Sequence, residues 1–349
     1  MAQAFDADHL ELRGQPVILA DHIGRTSFGN APVSISRTGI LAYAESISEP
    51  GRLTWFDRAG NSADEIGPPG DYLDFRLSPN QKRLVSSLAD PKKGFPDLWL
   101  TDLALGNPAP FSSIDALSAG AIWSFDGSRI LFRSTKHGGV SEFFIKSAGG
   151  GGSEEAAFLE QAIREAGIGS AVIAPFDWSP DGKYVLFTVL DPDPDLWLLP
   201  LEDNAKPRRY FSTRGEQLHG NFSPDGHLVA YTSNESGRYE IYVQTFPLSE
   251  RLWPVSITGG YEPRWRADGR ELYYLSLNKT LMAVPVSPGP SFGRPRQLFQ
   301  TRVPGNVSMY RTHYVPSRDG RRFLINTKTG DQAPVPITVV LNWTAALKK

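Results

Sequence analysis

Apolar residues come in short runs along this chain, each bounded by Gly, Pro, Asp or Ser. "KYVLFTV" (183–189), "RELYYLS" (270–276) and "DLWLLPL" (195–201) are the clearest. Runs of this length, rich in aromatic and β-branched residues, predict buried strands rather than helices. Ahead of many runs stands the same polar phrase. It reads "WSPDGKYVLF" around Gly182 and "FSPDGHLVAY" around Gly226. Alignment on the turn Gly gives seven copies, at Gly39, Gln81 (in the Gly place), Gly127, Gly182, Gly226, Gly269 and Gly320, spaced 42 to 55 residues apart. A period in the forties with about four short strands per unit is the signature of a β-propeller blade.

The phrase has the chemistry of a strand–turn–strand. Pro presets φ at the second turn position, Asp favours the next, and Gly accepts the positive φ that closes the turn. Four residues before the Gly stand Ile35, Leu77, Trp123, Trp178, Phe222, Trp265 and Pro316. All but Pro316 are large and apolar, as expected where neighbouring blades pack. Third strands follow at 97–103, 142–148, 195–201, 240–246 and 280–286, and weaker fourth strands at 208–212 and 296–300. The pattern predicts one all-β domain over 1–349, a seven-bladed propeller of four-stranded blades. Six blades is the alternative if the Gly39 unit is malformed.

The ends complement each other. The last unit adds "PITVVLNWTAAL" (336–347) and stops one strand short, while residues 14–20 ("GQPVILA") match the outer-strand segment 293–300. Residues 1–22 are therefore expected to close the last blade through 14–20 and so remove an open sheet edge. Gly149–Gly152 reads as a hairpin tip, and "EEAAFLEQAIREAG" (154–167) as a short surface helix.

Composition narrows the function. A net charge of −2 argues against a nucleic-acid partner, and the absence of Cys excludes disulfides and a thiol nucleophile. No apolar run approaches the roughly 18–20 residues of a membrane helix. No G-x-S-x-G elbow is present, nor is any protein-kinase motif. The six histidines show no H-x-x-x-H spacing, and "DPDPD" (191–195) lacks the Gly and distant Glu of a Ca²⁺ loop.

Several stretches carry a resemblance. The Ser-Pro-Asp-Gly phrases and "YTSNESGRYEIYVQTFP" (231–247) resemble the TolB-type, WD40-like propeller repeats. "GRLTWFDRAG" (51–60), "EPRWRADGRELYYLS" (262–276), "RRFLINT" (321–327) and "PITVVLNWTAALKK" (336–349) are similar to the C-terminal sensor region of bacterial serine/threonine protein kinases. The resemblance covers essentially the whole chain. It implies a propeller on the extracytoplasmic side of a membrane that senses a ligand.

Candidate site residues follow from the repeat. Five positions before the turn Gly stand Arg76, Asp177, Asn221 and Arg264, which alternate with the packing positions and so face the channel. Arg76 and Arg264 suit an anionic or carboxylate ligand through bidentate contacts, or else pair with Asp177 inside the ring. Seven positions before the Gly stand Asp74, His219, Glu262 and His313, placed to converge on one rim. The polar loops at 89–97, 133–142 and 232–240 share that side. The reading is a non-catalytic, cofactor-free binding module, monomeric, recognising a protein, peptide or glycan. The alternative is a metal-dependent hydrolase or lyase with His219, Glu262 and His313 around the channel.

Overall fold

The computed structural model describes every residue except 21–22, 24–31, 45–49, 91–92, 113–115, 137–140, 153–154, 157–164, 166, 169–171, 191–192, 203–204, 211–213, 250, 330–335 and 349. The chain divides into two compact units, one of residues 50–89 and 96–329, the other of residues 1–49, 90–95 and 330–349. The expected single domain over 1–349 is thus split. No helix among the described residues is long and apolar enough to cross a membrane.

The larger unit is a ring of antiparallel sheets. Blade 1 holds Tyr72–Leu77, Arg83–Asp90, Phe95–Asp102 and Pro108–Pro110. Blade 2 begins with Ser118–Trp123, blade 3 with Val172–Trp178, blade 4 with Gln217–Phe222 and blade 5 with Tyr261–Trp265, each continuing outward in chain order, except that in blade 5 both Ser291–Phe292 and Arg296–Gln300 pair with Thr280–Ser287. Blade 6 starts with Tyr314–Pro316 and Arg322–Lys328. Each first strand abuts the next, and Tyr314–Pro316 returns to Tyr72–Leu77, so among the described residues six first strands form a closed ring of contacts.

Closure corrects the sequence expectation. Arg322–Lys328 pairs with Gly51–Asp57, from Arg322↔Asp57 to Lys328↔Gly51, and Ser62–Gly70 forms the outer strand. Residues 14–20 do not fill that place, because Glu11–Val17 pairs with Ala2–Asp6 in a two-stranded sheet. The physical reason is burial. Leu53 and Trp55 are buried against Tyr72, Phe75 and Leu324, whereas residues 11–16 are exposed throughout, Leu12 included.

Five of the six ring turn phrases use the same hydrogen bonds; the Gly269 phrase has Arg266 in the Ser place and keeps only the bond from Arg270 N to Asp268 Oδ1 (3.0 Å). Ser179 Oγ donates to Asp181 Oδ1 (2.6 Å), Lys183 N donates to the same oxygen (3.1 Å), and Tyr184 N donates to Ser179 Oγ (2.9 Å). Gly182 closes the turn at φ 74°. Gln81 does so at φ 57°, a left-handed conformation that a non-Gly residue adopts only under constraint. Six apolar cores lie between the blades, one per interface. Trp178 packs with Phe143 and Phe187 between blades 2 and 3, Trp123 with Val85 and Leu98 between 1 and 2, and Trp265 with Val243 and Leu272 between 4 and 5.

The smaller unit carries the seventh phrase. Val33–Ile35 and Ile40–Ala44 join Ile337–Leu341 in a three-stranded sheet. Residues 337–341, expected in the last blade, pair here instead. Ile35, expected at a blade interface, is 58% exposed. Gly149–Gly152 lies between the paired strands Glu142–Ser147 and Glu155–Ala156, as a hairpin tip does. The helix expected at 154–167 lies almost wholly outside the described residues.

Candidate functional site: the ring channel and the segment across its mouth

The inner strands carry β-bulges. The register shifts between Tyr72 and Asp74, Ala119 and Ile122, Pro175 and Asp177, Leu218 and Asn221, and Tyr261 and Arg264. At the bulge Gly120, His219 and Glu262 have φ of 68°, 57° and 58°. A bulge re-aims side chains, and a non-Gly residue held left-handed stores strain. Gly120 is the cheap solution, and His219 and Glu262 are the costly ones.

These residues form a buried network. Glu262 and His313 are fully buried, and His219 is 1% exposed. His313 N–H donates to both Glu262 oxygens (3.1 Å), and its Nδ1 lies 2.8 Å from Glu262 Oε2. Burial alone would raise the Glu262 carboxyl. The His313 hydrogen bonds and the His313 and Arg264 charges outweigh it and hold the group at about 2. His219 Nε2 donates to the Ser308 carbonyl (2.9 Å), and its Nδ1 faces the Thr232 hydroxyl (3.2 Å). Burial pushes this imidazole down to about 4, so it is neutral at ordinary pH.

Five positions before the Gly, the side chains do different work. Asp177 accepts from Asn221 Nδ2 (2.7 Å), Phe222 N (2.8 Å) and Trp178 N (3.0 Å), and Asn221 Oδ1 accepts from Trp265 N (3.2 Å). Each therefore ties one blade to the next. Asp74 does likewise, accepting from Gly120 N (2.8 Å) and Ala121 N (3.1 Å). Burial raises Asp177 to about 6 in spite of these donors and of the Arg264 and Arg76 charges. Arg76 reaches the Phe75 carbonyl (3.1 Å) and the Thr312 hydroxyl. Arg264, 5% exposed, reaches Glu262 Oε1 (3.1 Å), and its Nε is buried with no hydrogen-bond partner.

Sequence reasoning missed residues 301–313, which run without regular structure between Arg296–Gln300 and Tyr314–Pro316. They lie across the channel mouth. The Pro304 carbonyl accepts from His313 Nε2 (3.0 Å) and the Ser308 carbonyl from His219. Met309 sits in the core between blades 3 and 4 with Phe176 and Leu218. Tyr310 lies under the Arg133 guanidinium (5.2 Å), Arg311 pairs with Asp71 (3.0 Å), and Thr312 N donates to Leu73 O (2.8 Å). The one available signal was the 51-residue interval before Gly320.

This segment decides what the rim triad can hold. A metal ligand needs a nitrogen lone pair. His219 and His313 each turn Nε2 onto a backbone carbonyl, which accepts only an N–H, and their Nδ1 atoms are engaged by Thr232 and Glu262. The three residues do not fit a metal as arranged. Among the described residues no group of His, Asp and Glu has metal-site geometry.

No family model matches the chain, and no curated protein does. Solved structures match its fold. A putative TolB from Agrobacterium tumefaciens aligns with a TM-score of 0.63 at 16% identity, over 82% of this chain and 100% of that one. TolB from Acinetobacter baumannii gives 0.50 at 16% identity, over 80% of this chain and 64% of that one. An oligogalacturonate lyase in complex with manganese gives 0.53 at 14% identity, over 85% and 93%. The chain therefore has a TolB-like β-propeller fold. Likeness at these identities speaks for architecture alone, since one fold hosts many functions.

Proposed function

We propose that this chain is a non-catalytic binding module, a sensor-like six-bladed propeller that receives an extended peptide segment of a partner protein at its channel. The observation that carries this reading is the segment 303–312. The ring already holds an irregular stretch of polypeptide across its mouth by reading main-chain carbonyls, seating an apolar side chain and pairing charges. Those are the means by which scaffolds recognise peptides. The resemblance to kinase sensor regions agrees with it. The metal-dependent alternative is weaker, because its three residues are committed to the segment and to each other.

The test is selection of peptides from a random display library on the immobilised protein. Enriched sequences that share a motif and bind the protein saturably are expected. No enrichment over an unrelated propeller would overturn the reading.

A further inference from the structure

Three charged side chains approach the ring axis from alternate blades: Arg76 from blade 1, Asp177 from blade 3 and Arg264 from blade 5. Arg76 bonds Thr312, and Arg264 bonds Glu262, which in turn holds the next residue, His313, so the two guanidinium groups reach adjacent residues of one segment. Three carboxylates lie near, and all are engaged: Asp74 accepts from Gly120 N and Ala121 N. Glu262 accepts from His313 N, His313 Nδ1 and Arg264 Nη2, and Asp177 accepts from Asn221, Phe222 and Trp178.

The two arginines are not saturated. A guanidinium carries five N–H donors. Arg264 spends one on Glu262 and buries Nε without a partner. Arg76 bonds only neutral oxygens, those of Phe75 and Thr312, and joins no ion pair among the described residues. A buried polar donor left unmade is costly, and a planar fork matches a carboxylate.

We propose that the channel between Arg76 and Arg264 is a carboxylate site, filled by an acidic side chain or a chain-terminal carboxylate of the bound peptide. This rests on the peptide-binding reading above and names the group that the ring selects. The ligand enters from the end bearing the turn phrases, because residues 303–312 cover the other. Burial and the Arg264 charge push Arg76 down to about 9, against the opposing charges of Glu262, Asp74 and Asp177.

The experiment is titration calorimetry at low salt with three short peptides. One is blocked at both ends and carries a Glu, one is all-Ala with a free C-terminus, and one is all-Ala and fully blocked. Saturable binding of either carboxylate peptide, but not of the blocked one, is expected, and it tells the two sources apart. Arg264→Gln should weaken it at least tenfold and Arg264→Lys less, since an ammonium keeps charge without the fork. Should Arg264→Gln fail to fold, the half-buried Arg76→Gln carries the test. Equal binding of all three peptides, or binding unchanged in Arg76→Gln, would overturn the site. If displayed peptides are enriched without acidic preference, the carboxylate site falls while the peptide-binding reading stands. If carboxylate peptides bind and no displayed peptide is enriched, the site stands and the reading falls.

Discussion

The segments "HLVAYTS" (227–233) and "GILAYAES" (39–46) follow the same turn phrase and share an Ala-Tyr pair, yet they live differently. Leu228–Ser233 is buried at every position, between the cores it shares with blades 3 and 5. Ile40–Ala44 is buried at Leu41 and Ala44 only, in a three-stranded sheet whose other strands, Val33–Ile35 and Ile337–Leu341, are largely exposed. The phrase makes a hairpin wherever it occurs. A blade needs more, namely an apolar neighbour on each face.

Equal substitutions in the two regions should therefore cost unequally. Trp178→Ala removes a ring from the core between blades 2 and 3 and the platform under the Arg129 guanidinium (5.1 Å). It should destabilise the ring by about 3–5 kcal/mol. Ile35→Ala, at the matching position of the smaller unit, should stay within about 0.5 kcal/mol. Urea unfolding of both variants checks this, and similar losses would break the comparison.

Closure gives the next contrast. Leu53→Ala, in the strand that completes blade 6, should cost about 2–5 kcal/mol. Removal of residues 1–22 should leave the main unfolding midpoint where it was. A sharp fall on that truncation would restore the N-terminal strand as the closing element.

Two pH effects are smaller and opposite in sign. His219 has its folded value depressed to about 4, so its contribution is complete above about 6.5 and is lost as pH falls through 4. The loss is on the order of 3 kcal/mol. His219→Asn, which tolerates the left-handed φ, should flatten that slope in unfolding titrations between pH 6.5 and 4. Asp177 has its folded value raised to about 6, so its contribution is present in acid and lost as pH rises through 6. Asp177→Asn should remove that loss, and its stability relative to the native chain should rise across pH 4 to 6 in the same titrations. A relative stability that stays flat there would count against the burial of this carboxyl.

Much of the ring was legible in the sequence. The turn phrases and the interface tryptophans follow from one periodic pattern. Strand partnership did not, because alternation shows that a strand exists and not which edge it joins. "GRLTWFD" and "GQPVILA" both look like outer strands, and only the burial of Leu53 and Trp55 separates them. The bulges were hidden as well. His219 and Glu262 look ordinary for strands, and only Gly120, at the same place in blade 2, hinted at a left-handed residue there. Segment 301–313 has no periodicity at all, and its place is set by contacts that reach all six blades.

Hydrogen exchange of the intact chain tests the central claim about the ring most directly. Backbone amides of 51–57 should be protected as strongly as those of 322–328, their partners, while those of 11–17 exchange with the fast class. Strong protection at 11–17 together with rapid exchange at 51–57 would contradict this closure of the ring.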